Sequence, residues 1–103
     1  MTVSSNQTIN SLSEELLPES CFVFKHSTRC PISFDAADAV RSKLWQPLLF
    51  WINVVEQRSL SNWISSHYNI QHESPQLIRI EKGQVVAVIN HRMITQQIRD
   101  GLI

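Results

Sequence analysis

The run Leu48-Leu49-Phe50-Trp51-Ile52, continued past Asn53 by Val54-Val55, limits more than any other segment what this chain can become. A strand with one wet face would alternate apolar and polar residues, and this run does not, so residues 48–55 read as a strand covered on both faces. It falls far short of the roughly 20 apolar residues that cross a bilayer, so its cover must come from helices of the same domain. A chain of 103 residues, 43% hydrophobic with only 2 Gly and 4 Pro, has material for one compact core and no second one.

The rest of the chain supplies that cover in a definite order. Cys21-Phe22-Val23-Phe24-Lys25 reads as a strand of aromatic and β-branched residues. Pro31 fits a first helical turn, and Ala36, Ala37, Val40 and Leu44 give a helical stripe through residues 33–45 that Pro47 ends. After the apolar strand, Ser59 is positioned to cap a second helix whose Leu60, Trp63, Ile64 and His67 or Tyr68 face inward, with Asn69 as a left-handed stop. Residues 76–80 and 84–89 flank Lys82-Gly83 at hairpin spacing, and Ile94, Ile98 and Leu102 share one side of a closing helix. The order β-α-β-α-β-β-α predicts parallel pairing with a right-handed crossover for the first two strands and antiparallel pairing for the hairpin. An α/β domain follows, a mixed four-stranded sheet with helices on both faces, which is the layout of the thioredoxin-like fold. It is expected over residues 21–103, with residues 1–20 as a polar N-terminal leader, partly flexible or carrying a short helical turn at residues 14–18.

Nine Lys and Arg balance nine Asp and Glu, so there is no summed basic field to neutralise a phosphate backbone and no nucleic acid partner is expected. Residues 1–17 lack the basic head and apolar stretch of an export signal, which predicts a soluble, cytoplasmic protein with no membrane partner. With Gly83 and Gly101 as the only glycines, a glycine-rich phosphate loop is excluded. His26, His67, His72 and His91 follow no zinc spacing, and no metal site is expected. Trp45, Trp51 and Trp63 read as core side chains on helix, strand and helix, and His91 as a structural residue at the end of the last strand.

In a reducing compartment each of the two cysteines needs its own reading. Cys30 stands between the end of the first strand and the Pro31 that opens the first helix, near unpaired N–H groups and the positive end of the helix dipole, which favours a thiolate. Arg29, Lys25 and His26 are sources of further positive potential, and the polar stretch His26-Ser27-Thr28-Arg29 argues against the alternative of a small buried residue. Cys30-Pro31-Ile32-Ser33 has the spacing of a C-x-x-C redox motif with serine in the second position. A mixed disulfide on Cys30 must then be resolved by an external thiol. Cys21 lies nine residues away along an extended strand, beyond disulfide reach, and reads as a strand-edge or core residue. His26 either shares its proton with Cys30 or is a polar strand terminus. In His72-Glu73-Ser74-Pro75-Gln76, Pro75 is a candidate cis proline, which in such a sheet keeps the Ser74 backbone open to pair with an extended substrate.

At Lys25-His26-Ser27-Thr28-Arg29-Cys30-Pro31-Ile32-Ser33, Arg58-Ser59-Leu60-Ser61-Asn62 and His72-Glu73-Ser74-Pro75-Gln76, the chain resembles the monothiol bacilliredoxins, also called YtxJ-like bacillithiol-system proteins. The resemblance spans roughly residues 22–102, with the hairpin and His91…Ile94-Thr95 in register. It implies a thioredoxin-like fold and a thiol–disulfide oxidoreductase of cell redox homeostasis that removes bacillithiol from proteins carrying it as a mixed disulfide. Cys30 would be the nucleophile, Ser33 the serine of C-x-x-S and Pro75 the cis proline, with Pro31, Ser33, Ser74, Pro75, His26 and Arg29 in contact with substrate. No bound cofactor is implied; bacillithiol is the low-molecular-weight thiol co-substrate, and bacillithiolated client proteins are the partners. Arg29 stands where relatives usually have Thr, Ser59 where they often have Pro, Arg92-Met93 where they often have Trp-Asp, and Asn53 at an often acidic position. Arg29 could either lower the Cys30 pKa or contact a carboxylate of the acidic, sugar-linked thiol. Two alternatives are an iron–sulfur cluster protein of the monothiol glutaredoxin kind, which Pro31 and Ile32 fit poorly because those relatives carry glycine after the cysteine, and a non-catalytic interaction domain using the Ser74-Pro75 edge.

Overall fold

The computed structural model describes residues 6–8, 19–29, 31–43, 45 and 49–103. Its elements are β1 (Asn6–Thr8), β2 (Cys21–His26), α1 (Pro31–Arg41), β3 (Leu49–Asn53), α2 (Arg58–His67), β4 (Gln76–Glu81), β5 (Gln84–Asn90) and α3 (Arg92–Arg99). The sheet order is β1-β3-β2-β4-β5. β2 and β3 run parallel, with Phe24 opposite Trp51, while β2 pairs antiparallel with β4 and β4 with β5. The four expected strands thus take the expected directions, and the fold is thioredoxin-like.

A fifth strand joins them. Asn6–Thr8 lies within the stretch expected to be a leader and pairs parallel with Leu49–Trp51. Without it β3 would be an edge strand, so β1 is what makes the apolar run Leu49–Ile52 interior to the sheet. β2 itself is the middle strand, and all six of its residues are buried. The helical turn expected at residues 14–18 lies outside the described residues.

Strand alternation sorts the core into two halves. Phe22, Phe24, Leu49 and Leu77 pack on one face against Ala36, Ala37 and Val40 of α1 and Ile94 of α3. Cys21, Val23, Phe50, Ile52, Ile78 and Ile80 pack on the other against Ile64 of α2. Cys21 is therefore a core residue, 1% exposed.

Several boundaries differ from expectation for local reasons. α1 starts at Pro31 and ends at Arg41, so Trp45 is not helical; its indole Nε1–H donates to the Val40 carbonyl at 2.9 Å, plugging the end of the helix into the core. Gln57, not Ser59, occupies the N-cap position of α2. Asn53 sets that turn, its side-chain Oδ1 accepting from the N–H groups of Val55 at 3.0 Å and Glu56 at 3.2 Å, a task for an oxygen acceptor that a carboxylate also performs. Asn69 is left-handed as expected, with φ 54°. Lys82 and Gly83 both have positive φ, which gives the hairpin a two-residue turn whose twist matches its strands. Among the described residues no helix is long and apolar enough to cross a membrane.

Candidate functional site

The C-terminal end of β2 divides its last two side chains between the faces of the sheet, and this division builds two separate polar groups. His26 points to the α1 side and Lys25 to the α2 side. Cys30, the expected nucleophile, lies outside the described residues; it is joined directly to Pro31, the exposed first residue of α1.

On the α1 side, Ser33 is fully buried in the first turn of the helix. Its Oγ accepts from the Ser27 N–H at 2.9 Å and lies 2.8 Å from His26 Nδ1. The Ser33 hydroxyl accepts from the backbone with one lone pair and keeps a hydrogen and a second lone pair for Nδ1, so it joins the β2–α1 loop to the His26 ring. Burial, and then the Arg41 charge, lower the His26 pKa from 6.5, so the imidazole is neutral. Its ring sits among Phe24, Phe34 and Trp51, with centroids 6.0, 5.5 and 5.6 Å away. The serine in the second position of the motif is thus committed to holding the β2–α1 loop and the His26 ring. Ser33→Ala removes the partner of two buried groups and is expected to lower unfolding stability by about 1–3 kcal/mol, read by urea denaturation.

On the α2 side, Lys25 is fully buried. Its Nζ donates to the Ser61 carbonyl at 3.0 Å and Ser65 Oγ at 2.8 Å, and reaches His72 Nδ1 at 3.3 Å. Burial pushes its pKa down from 10.5 to about 8. His72 is lowered too, by burial and then by the Lys25 charge. Of the three basic residues expected to raise the potential at Cys30, Lys25 therefore faces away into α2 and His26 is uncharged. Arg29 is exposed, and its backbone N–H donates to Ser27 Oγ at 3.2 Å.

The Lys25 cluster anchors the loop that carries the second expected motif. The Ser74–Pro75 bond is cis. Pro75 is buried and immediately precedes Gln76, whose Cα partner across the sheet is Lys25, so the proline stands at the same end of the sheet as the β2–α1 loop. Gln76, also buried, donates its Nε2 to the Gln71 carbonyl and to Asn90 Oδ1, both at 3.0 Å. Ser74 Oγ and Gln76 Oε1 are buried without a protein hydrogen-bond partner among the described residues. On the far flank, the His91 N–H donates to the Pro75 carbonyl at 2.9 Å and its Nε2 meets Glu73 Oε1 at 3.1 Å. His91 holds φ 54° and ψ −130°, a backbone state suited to glycine that costs an L residue of order 1–3 kcal/mol. Its half-exposed pair with Glu73 returns only about 0–1 kcal/mol.

Sequence reasoning places His26, Ser33, Ser74 and Pro75 at one end of the sheet, as found. It misses the inward turn of Lys25, whose only signal is a lysine closing a buried strand, and the reach of His91 to Glu73, which no spacing rule announces. No group of three or more potential metal ligands occurs among the described residues.

A protein put forward as an oxidoreductase with a thioredoxin fold is 27% identical and superposes with a TM-score of 0.76, over 96% of this chain and 95% of its own. The thioredoxin of Malassezia sympodialis (Mala s 13) is 12% identical, with a TM-score of 0.73 over 99% of this chain and 91% of its own. Reduced Schistosoma mansoni thioredoxin pre-protein is 16% identical, with a TM-score of 0.62 over 96% of each chain. The two thioredoxins speak for the fold alone. The family model described as "Monothiol bacilliredoxin BrxC" matches residues 1–98, taking in β1 and every later element but the last residue of α3. With nearly its whole length matched, the chain belongs to the monothiol bacilliredoxin BrxC family.

Proposed function

We propose that the chain is a monothiol thiol–disulfide oxidoreductase that removes bacillithiol from client proteins through Cys30. Family membership supports a thiol oxidoreductase role, and the buried, doubly bonded Ser33 is the observation that carries the single-cysteine form of it. The position that a resolving cysteine would take holds a hydroxyl already engaged with the Ser27 N–H and His26.

Two exchanges make the cycle. In the first, the Cys30 thiolate attacks the bacillithiol sulfur of the mixed disulfide; the new S–S bond joins Cys30 to bacillithiol, the old one breaks, and the client leaves as a thiolate that takes up a proton. In the second, a free bacillithiol thiolate attacks the bacillithiol sulfur on Cys30, forming bacillithiol disulfide and returning Cys30 as thiolate. The Ser74-Pro75 edge offers the client an extended backbone to pair with. Pro31 and Arg29, on either side of Cys30 in the chain, flank the reacting position, while the buried Ser33 and His26 hold the β2–α1 loop. The cytoplasm, where bacillithiol is held reduced, is the compartment that suits such a cycle.

Without added thiol the chain should release one client thiol per chain and stop, and added bacillithiol should restore turnover. Sustained turnover with no added thiol would contradict the monothiol cycle.

A further inference from the structure

Lys25 and His72 meet in an arrangement that only one protonation state of the imidazole satisfies. The Lys25 ammonium has three N–H donors and no lone pair, and the Ser61 carbonyl, Ser65 Oγ and His72 Nδ1 take them at 3.0, 2.8 and 3.3 Å. His72 Nδ1 must therefore present a lone pair, with the ring neutral and its proton on Nε2. Ser61 Oγ, also 3.3 Å from Nδ1, suits either state, because a hydroxyl both donates and accepts. A second proton on the ring would replace the acceptor by an N–H and set two positive groups 3.3 Å apart.

Of the two partners only one can yield. Lys25 is fully buried on the middle strand and held by its two α2 contacts, whereas His72 is exposed on a loop. The charged groups around the ring are Lys25 from β2, Arg58 from α2 and Glu73 from its own loop. Burial and then the Lys25 charge resist protonation of His72, Glu73 favours it, and Arg58 adds to the resistance. A ring swung out into water regains the ordinary value of 6.5, so the contact holds above that pH and weakens as pH falls below it. What depends on the contact is the stretch before the cis proline. The Gln71 carbonyl is held by Gln76 Nε2, the Pro75 carbonyl by the His91 N–H, and Glu73 bonds to Gln71 and His91. Ser74 Oγ makes no protein hydrogen bond among the described residues, and His72 supplies the tie to β2 and α2.

We infer that the His72–Lys25 contact is a proton-operated latch on the Ser74-Pro75 edge: with the imidazole neutral the edge is held for an extended client, and with it protonated the edge is released. The inference rests on the thiol-exchange reading above, which gives that edge its client, and adds a control of client binding separate from the ionisation of Cys30. No bond to sulfur is involved; the only group transferred is one proton from solvent to His72 Nδ1.

NMR of the full chain carrying Cys30→Ser, which cannot exchange disulfides, tests the latch by itself. The His72 ring should carry its proton on Nε2 near neutral pH, and as it titrates the order parameter of the Ser74 amide should fall from about 0.85 to about 0.6 or less. In Lys25→Met the His72 midpoint should move up. His72→Gln, whose amide oxygen accepts from Lys25 at every pH, should keep Ser74 ordered throughout. In single turnovers of the unsubstituted chain, the half-saturating concentration of bacillithiolated client should rise about fivefold or more through the same midpoint. It should stay level in His72→Gln, while loss of the Cys30 thiolate lowers the maximal rate of both. A proton on Nδ1 at neutral pH, an unmoved midpoint in Lys25→Met, equal loosening of Ser74 in His72→Gln, or a client half-saturation that ignores the midpoint would each overturn the inference. Absence of client release altogether would instead sink the thiol-exchange reading, with the NMR results still deciding the latch.

Discussion

Cys30→Ser should lower client release by at least about a thousandfold, while Cys21→Ala leaves it within about twofold. A serine hydroxyl is not ionised near neutral pH and cannot form the S–S bond on which the cycle depends, so no residual path runs through position 30. Cys21 cannot take over. It is 1% exposed in the core beneath α2, and burial pushes its thiol pKa from 9.0 up to about 11. The thiolate is the reactive species, so Cys21 is both inaccessible and protonated. Iodoacetamide near neutral pH should therefore label one cysteine in the folded chain and two after denaturation. Rapid double labelling of the folded chain would contradict this separation of roles.

The second large effect is a stability that depends on Lys25 and on pH. Its ammonium is buried at a pKa of about 8, whereas in the unfolded chain it has the ordinary 10.5. Between those values the unfolded chain holds a proton that the folded chain has released, so folding stability rises with pH through this interval. Below pH 8 both states are charged and the full burial penalty applies. Across the interval wild type should gain up to about 3 kcal/mol relative to Lys25→Met, with no further change just below pH 8 until His72, whose pKa the Lys25 charge lowers, begins to titrate. Cys21 and Tyr68, whose pKa values burial raises, act in the opposite direction but are present in both proteins and cancel in the comparison. Urea denaturation of the pair at several pH values measures it; a difference independent of pH would mean that the buried ammonium is solvated or paired more fully than its contacts with Ser61, Ser65 and His72 provide. The functional cost of Lys25→Met should fall on the loop from His72 to Pro75, since Lys25 and Ser61 together hold His72 Nδ1, each at 3.3 Å, and the variant leaves only Ser61.

The layout of the sheet was legible because its residues carry the pattern. The apolar run around Trp51 demanded cover on both faces, Lys82-Gly83 fixed the hairpin, and Pro31 opened α1 where it was expected to. β1 was not legible, because three polar residues, Asn6, Gln7 and Thr8, enter the sheet through backbone pairing with β3 and no side-chain alternation announces them. Ser59 is a good cap by residue type, yet the turn that Asn53 builds sets the start of α2 earlier in the chain. At the site, the motif around Ser33 and Pro75 could be read locally. The facing of Lys25 could not, since adjacent residues on a strand point to opposite sides and the destination of Nζ is fixed by α2, 36 and 40 residues further on. His91 joins Glu73 across the β4–β5 hairpin, a contact that only the closed sheet brings about.

The central claim is that one sulfur, that of Cys30, receives the small thiol while the client leaves intact. The most direct measurement is the intact mass of the chain after a single turnover with a bacillithiolated client and no free thiol. The account requires one bacillithiol per chain, mapped by peptide analysis to Cys30, with an equal amount of client thiol released. An adduct on Cys21, a disulfide between chain and client, or a released client beside an unmodified chain would contradict it.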